Sequence, residues 1–103
     1  MSLRTEQERF AVALATLILE ADKLGIKMSI GDVFRDPRLH GQVGEAKGYG
    51  HSRSCHKLKL AADLNLINPK DHETLHDIWD TLGGSPRIPN DMNHYSFEWQ
   101  GMR

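Results

Sequence analysis

The sequence of 103 residues contains a single cysteine, Cys55, so an intramolecular disulfide is excluded. A small domain without disulfides is only marginally stable, and a bound metal ion is one way to stabilise it. A single cysteine also favours synthesis in a reducing compartment. The length is that of one folded unit, and we assign residues 1–103 to a single domain.

Charge of one sign and long apolar runs are also lacking. The formal net charge is -1, and no basic block or acidic tail is present, so we do not expect nucleic acid as a partner. The most apolar stretch, residues 10–19, follows Glu6 and Glu8, has no small-residue cleavage site after it, and is too short to span a bilayer. We therefore expect cytoplasmic synthesis without a signal peptide and no membrane insertion.

Apolar residues at three- and four-residue steps predict two helices. The first begins at a capping box formed by Thr5 and Glu8, presents Leu17 and other apolar residues on one face, and ends at Gly25. The second is short, covers about residues 75–82, and ends at the glycine pair that follows.

Alternating apolar and polar residues predict three strands, from Ile26 to about Phe34, over residues 60–66 and over residues 94–99. Residues 35–55 show no period and include four glycines, so they are predicted to form a long loop of the kind that is often functional; these are Gly41, Gly44, Gly48 and Gly50. The order helix, strand, loop, strand, helix, strand indicates an α+β fold with a small antiparallel sheet flanked by helices.

Six histidines are many for this length, and two arrangements of them resemble metal sites. The first is an H-E-x-x-H motif in which His72 and His76 would share a zinc ion and Glu73 would be the base. The helix offers no third ligand for a catalytic ion, and Glu98 is a distant candidate in a predicted strand. We interpret this motif as a chance match on a solvated helix face.

The second arrangement combines His56, Asp63 and His94. Asp63 interrupts an apolar segment, which is costly for a charge unless it is paired or metal-bound. His56 and Asp63 are seven residues apart and would face opposite sides of one straight strand, so His56 must lie on the loop before the strand and turn back. Two imidazoles and a carboxylate suit Zn²⁺ and leave one coordination position open. Asp91 lies three residues before His94, at the turn that enters the last strand, and could take the proton from an attacking water.

These residues resemble the signature of the M15 family of zinc peptidases, S-x-H-x-x-G-x-A-x-D followed by E/D-x-x-H. Residues 54–63 read SCHKLKLAAD, with Lys59 where the motif usually has glycine, and residues 91–94 read DMNH. The family cuts bacterial cell-wall peptides and includes D-Ala-D-Ala carboxypeptidases and phage L-alanyl-D-glutamate endopeptidases, the latter used as endolysins. The resemblance implies a Hedgehog/DD-peptidase-like fold and a single zinc peptidase domain. It also implies action at the cell wall, after release through holin pores or on the virion.

The resemblance further implies roles for residues near the metal. Phe34-Arg35-Asp36-Pro37 is similar to the family's Y-R-[ST]-P, so Arg35 would bind substrate and stabilise the developing oxyanion. Ser54 would bind substrate or orient a neighbouring ligand, Asp91 would be the general base, and Cys55 is interpreted as a bystander. The expected activity is hydrolysis of amide bonds in peptidoglycan stem peptides, with L-Ala-D-Glu and D-Ala-D-Ala bonds both open. The alternative is a zinc-stabilised, catalytically silent cell-wall-binding or structural phage protein.

Overall fold

The computed structural model describes residues 2–45 and 51–103, except for the side chain of Pro37. Three short strands form an antiparallel sheet in the order β1 (Met28–Ile30), β2 (Ala61–Leu66) and β3 (His94–Ser96). Helices α1 (Leu3–Lys23) and α3 (Asp71–Thr81) supply most of the remaining regular structure. The predicted α+β fold with a small antiparallel sheet is confirmed.

Helix α1 begins one turn earlier than the sequence predicts. The hydroxyl of Ser2 accepts a hydrogen bond from the backbone N–H of Thr5 at 3.1 Å. The prediction that Thr5 is the cap is therefore wrong, because Thr5 already lies in the first helical turn and Ser2 satisfies its donor. The predicted end is confirmed: Leu24 is the C-cap, and Gly25 has the left-handed φ of +76° that glycine adopts without steric cost.

The core lies between the sheet and the two long helices. The ring of Phe10 on α1 meets Trp79 on α3 edge to face at 5.8 Å and meets Phe97 in the same way at 5.7 Å. Leu17 from α1 and Leu64 from β2 are fully buried in the same cluster, and each contributes roughly 1.5–3 kcal/mol through burial of its side chain. Side chains alternate along a strand, so residues flanking Leu64 point to the opposite face of β2.

The strands are shorter than the sequence predicts. β1 ends at Ile30 because Gly31 and Asp32 both bond to one residue: Gly31 N–H donates to Asp63 O, and Asp63 N–H donates to Asp32 O, each at 2.8 Å. Two residues opposite one is the arrangement of a β-bulge, which bends the strand and ends its regular pairing. β3 ends at Ser96 because the chain turns back beyond it, where a bridge joins residues 99 and 102.

The predicted loop and the second helix also differ from expectation. Residues 35–55 contain a short helix, α2 (Pro37–His40), and the start of a 3-10 helix (Cys55–Leu58), while Gly48 and Gly50 lie outside the described residues. Helix α3 begins at Asp71, a turn before the predicted Leu75. The apolar pattern did not predict this start because the first turn is polar in sequence. Within the described ranges, no helix is both long and apolar enough to cross a bilayer.

Candidate metal site

His56 lies just before β2, but on a 3-10 helix (Cys55–Leu58) where the sequence predicted a loop. The hydroxyl of Ser54 caps this helix by accepting a hydrogen bond from the backbone N–H of His56 at 3.2 Å. The helix ends at Lys59, whose φ of 58° and ψ of 37° are left-handed, and the chain then enters β2. This reversal brings His56 back toward Asp63. The left-handed backbone falls at the position where the resembling motif has glycine, which adopts such angles at no steric cost.

Asp63 and His94 are brought together by strand register. They are directly opposite each other in the antiparallel pairing of β2 with β3, so their side chains project from the same face of the sheet at close range. The β-bulge at Gly31 and Asp32 holds the backbone of Asp63 from its other side. The carboxylate therefore projects from the central strand at a residue whose backbone N–H and carbonyl are both bonded to the segment that follows β1.

The three side chains converge on one point. His56 Nε2 lies 3.1 Å from Asp63 Oδ1, His94 Nδ1 lies 3.2 Å from His56 Nε2, and His94 Nδ1 lies 3.6 Å from Asp63 Oδ1. An ion bound tetrahedrally at about 2.0–2.1 Å places its ligand atoms about 3.4 Å apart. The observed separations fit that value, so His56, Asp63 and His94 can hold a metal ion.

The charge and burial of this group also fit a cation. Burial acts to raise the pKa of Asp63, but hydrogen bonds from His56 and His94 outweigh it and hold the pKa well below its usual range. The carboxylate is therefore ionised at neutral pH. His56 Nδ1 and His94 Nε2, which face away from the convergence point, are buried without a hydrogen-bond partner among the described residues. Among the described residues, no protein group therefore serves as the outer-shell partner that usually orients a metal-bound imidazole.

The other predicted site residues line one cavity beside the metal ligands. The cavity has a volume of about 460 Å³, and Arg35, Ser54, Asp91 and His94 all contribute to its wall. Arg35 Nη1 donates to Ser54 Oγ at 3.0 Å, and the Arg35 backbone N–H donates to His56 O at 3.0 Å. The guanidinium is only 12% exposed and lies 3.6 Å from Asp32. Asp91 is exposed to solvent.

Sequence reasoning missed further basic residues near the site. His51, Arg53 and Arg103 line the same cavity. Lys57 is buried, and its ammonium donates to three backbone carbonyls, at 3.1 Å to Gln42, 2.5 Å to Glu45 and 3.1 Å to Ser52. For His51, Arg53 and Lys57 the only sequence signal was their adjacency to the S-x-H motif, and no signal marked Arg103.

The H-E-x-x-H motif is not on a solvated helix face, and that interpretation is wrong. His72 and His76 are both buried, and one nitrogen of each ring bonds to a tertiary partner on β3 or on the turn before it. His72 Nδ1 bonds to Tyr95 OH at 2.7 Å, and His76 Nε2 bonds to Met92 O at 2.7 Å. Among the described residues, the one group of potential metal ligands with convergent atoms is that of His56.

Cys55 adjoins a metal ligand in sequence but points elsewhere. Its thiol is fully buried in the hydrophobic core and lies 3.4 Å from the carbonyl oxygen of Phe97. Burial raises the pKa of the Cys55 thiol to about 12. The thiol is therefore protonated at neutral pH and is a poor metal ligand.

Comparison with known proteins yields no match, whether to a family model, to a curated protein or to a solved structure. The activity of the chain is therefore inferred from its own residues and from the motif resemblance.

Proposed function

We propose that this protein is a zinc metallopeptidase that hydrolyses amide bonds in peptidoglycan stem peptides. The observation that carries the proposal is the shared cavity: Arg35, Ser54 and Asp91 line it together with the metal ligand His94. A metal site that only stabilised the fold would need neither an acid nor a cation on an open cavity. Two imidazoles and one carboxylate are the ligand set of a catalytic zinc, which keeps one position open.

The reaction needs a base for water and an acid for the leaving amine. Zinc, when bound, would supply a Lewis acid that lowers the pKa of a water to about 7 and polarises the substrate carbonyl. Asp91 would take the proton from the attacking water and return it to the leaving amine. The exposed position of Asp91 on the cavity wall supports this role, because its carboxylate is accessible from the cavity.

Arg35 and Ser54 would stabilise the developing negative charge. The guanidinium of Arg35 is held by Ser54 Oγ and by the neighbouring Asp32, so it is fixed before substrate arrives. A preorganised cation stabilises the tetrahedral oxyanion without further rearrangement. Ser54 also accepts from the backbone N–H of His56, so one hydroxyl links the oxyanion side of the site to a metal ligand.

The substrate class follows from the motif resemblance in residues 54–63 and 91–94, and a cavity of about 460 Å³ is of a size that holds a short peptide. L-Ala-D-Glu and D-Ala-D-Ala bonds are the two candidate cleavage sites. Mass spectrometry of fragments released from defined muropeptides distinguishes them. Action at the cell wall, after holin release or on the virion, belongs to the same proposal.

The proposal is tested by Asp91→Asn, which removes the base and keeps the shape of the side chain. We expect hydrolysis of purified peptidoglycan to fall by about 100-fold or more, since general acid–base catalysis contributes about 10²–10⁴. Zinc content should stay unchanged, because Asp91 is not a ligand. Asp22→Asn, the same change at an exposed position on α1, is the matched control and should retain full activity.

Two results would reject parts of this proposal. Undiminished hydrolysis by Asp91→Asn would remove Asp91 as the base. A wild-type protein that binds zinc yet releases no fragment from peptidoglycan would reject the peptidase function and favour the zinc-stabilised, catalytically silent alternative.

A further inference from the structure

Helix α3 contacts the β3 segment through three polar side chains on its buried face. His72 bonds to the hydroxyl of Tyr95, and His76 bonds to the carbonyl of Met92, each at 2.7 Å. One turn further along, Trp79 Nε1 donates to the carbonyl of Ser96 at 3.0 Å. The residues are spaced at four and three positions, so all three lie on one helix face. Of these contacts, the one made by His76 falls on the turn that carries Asp91 and His94.

The backbone of this turn is held at each of its carbonyls. The Asp91 carbonyl accepts from His94 N–H at 3.1 Å, and the Asn93 carbonyl accepts from Leu64 N–H on β2 at 2.9 Å. The Met92 carbonyl between them receives its hydrogen bond from His76. The turn is therefore bonded to itself, to the central strand and, through His76, to α3.

His94 depends on this backbone for its orientation. Its outer nitrogen, Nε2, is buried without a hydrogen-bond partner among the described residues. No side chain from that part of the protein therefore fixes the imidazole from outside, as a carboxylate or carbonyl usually does for a metal-bound histidine. The position of the ligand follows from where the turn and β3 place its Cα.

We propose that His76 is a positioning residue for the metal site. From helix α3, its ring holds the Asp91–His94 turn in place through a hydrogen bond to the Met92 carbonyl. The part that concerns Asp91 rests on the proposed peptidase function. The part that concerns His94 does not, because it predicts an effect on zinc binding alone.

The His76 ring is built to act as a fixed donor. Its Nε2 faces a carbonyl and so carries the proton, and its Nδ1 is buried with no partner among the described residues. The ring stacks on Tyr95 with a centroid separation of 4.2 Å and an angle of 11°. His72 in turn fixes the Tyr95 hydroxyl. The motif that resembles a zinc site thus supports the neighbouring metal site without touching the ion.

The test compares His76→Phe with His72→Phe. Phenylalanine at 76 retains an aromatic ring for the stack on Tyr95 and removes the donor to Met92. The change at 72 removes a bond of equal length from the same helix face but does not touch the turn. Zinc alone is the probe, and its Kd is measured by competition with a chromogenic chelator on folded protein.

We expect His76→Phe to weaken zinc binding by about 10-fold, the lower end of the usual effect of an outer-shell partner. His72→Phe should leave the zinc Kd nearly unchanged even if it lowers thermal stability as much as His76→Phe does. Equal zinc affinities for His76→Phe and wild type would overturn the proposal. So would equal weakening by both variants, because that would indicate a general loss of packing.

A second pair covers the case in which His76→Phe fails to fold. Gln and Met have similar shapes, but only Gln can donate to the Met92 carbonyl. We expect His76→Gln to bind zinc more tightly than His76→Met, and equal affinities would overturn the proposal. In the unsubstituted chain, ring-nitrogen NMR must show His76 as the Nε2–H tautomer, and the Nδ1–H form would contradict its bond to Met92.

Measuring zinc binding and peptidoglycan hydrolysis separately distinguishes failure of the positioning role of His76 from failure of the proposed peptidase function. Weaker zinc binding by His76→Phe, in a protein that never cleaves peptidoglycan, would reject the peptidase and keep the positioning role. If the wild-type protein cleaves peptidoglycan and His76→Phe has an unchanged zinc Kd, the positioning role is rejected and the peptidase function is kept.

Discussion

Lys59 determines how the chain passes from His56 into β2. Its left-handed backbone, with φ of 58°, lets the 3-10 helix end at Leu58 and β2 begin at Ala61, only two residues after Lys59. For a residue with a Cβ this conformation costs roughly 1–2 kcal/mol. The return of His56 to Asp63 is therefore obtained at the expense of some local stability, which is common at functional sites.

Replacing Lys59 with glycine should relieve this cost. We expect Lys59→Gly to raise the free energy of unfolding by about 1 kcal/mol. Part of this gain is offset because glycine loses more conformational entropy on folding than lysine does. Urea denaturation of the metal-free protein measures the change. Lys70→Gly, at a φ of -65°, is the matched control and should destabilise the protein instead. A Lys59→Gly variant less stable than wild type would show that the lysine side chain contributes more than its backbone costs.

At the level of elements, the packing of α3 on β3 depends on a close approach at Gly84. A Cβ at this position would lie 2.0 Å from Trp79 Nε1 and 2.2 Å from its Cδ1. The indole is buried and bonded to Ser96, so it cannot move aside without breaking that bond.

Gly84→Ala should therefore destabilise the protein by about 3 kcal/mol, at the upper end of the usual cost of overpacking. Gly25→Ala is the comparison, since its φ of +76° costs about 1 kcal/mol but its Cβ would meet no atom. Urea denaturation of both variants checks the order. A smaller loss for Gly84→Ala than for Gly25→Ala would contradict the packing of Trp79 described here.

Elements with strong local patterns were predictable from sequence. Periodicity gave helix α1 and its end at Gly25, and alternation gave β2 with Asp63 at a polar position. The metal group was also predictable, because the requirement that His56 turn back depends only on the two-residue period of a strand. The three side chains lie close together, as this argument requires, and could hold a metal ion.

Features that depend on tertiary partners were not predictable in the same way. β1 ends early because a bulge forms opposite Asp63, which no local pattern signals. In the polar first turn of helix α3, His72 is buried because it bonds to Tyr95, which lies 23 residues away in sequence. The positions of His51 and Arg53 were not predictable for a similar reason, because only the tertiary structure brings them to the cavity wall.

The whole molecule should lose stability in acid because it buries two neutral histidines. Burial lowers the pKa of His72 and His76 below the value of 6.5 for an exposed histidine. Below about pH 6.5 the unfolded chain takes up protons that the folded chain resists, so stability falls as the pH falls toward the folded pKa values.

For each such histidine we expect a decrease of up to about 1.4 kcal/mol per pH unit in that window. Urea denaturation of metal-free protein at a series of pH values below neutrality measures the slope. His72→Phe removes one titrating group and should give a shallower slope than wild type. A wild-type stability that is constant or rises on acidification through this window would contradict the burial of neutral rings.

Zinc binding by His56, Asp63 and His94 is tested most directly by elemental analysis. Zinc is measured in the dialysed wild-type protein, in His56→Ala and in His72→Phe. The arrangement of His56, Asp63 and His94 predicts about one zinc per wild-type chain, loss of zinc in His56→Ala and retention in His72→Phe. A wild-type protein without zinc, or a His56→Ala variant that retains it while His72→Phe loses it, would contradict the assignment of the metal site.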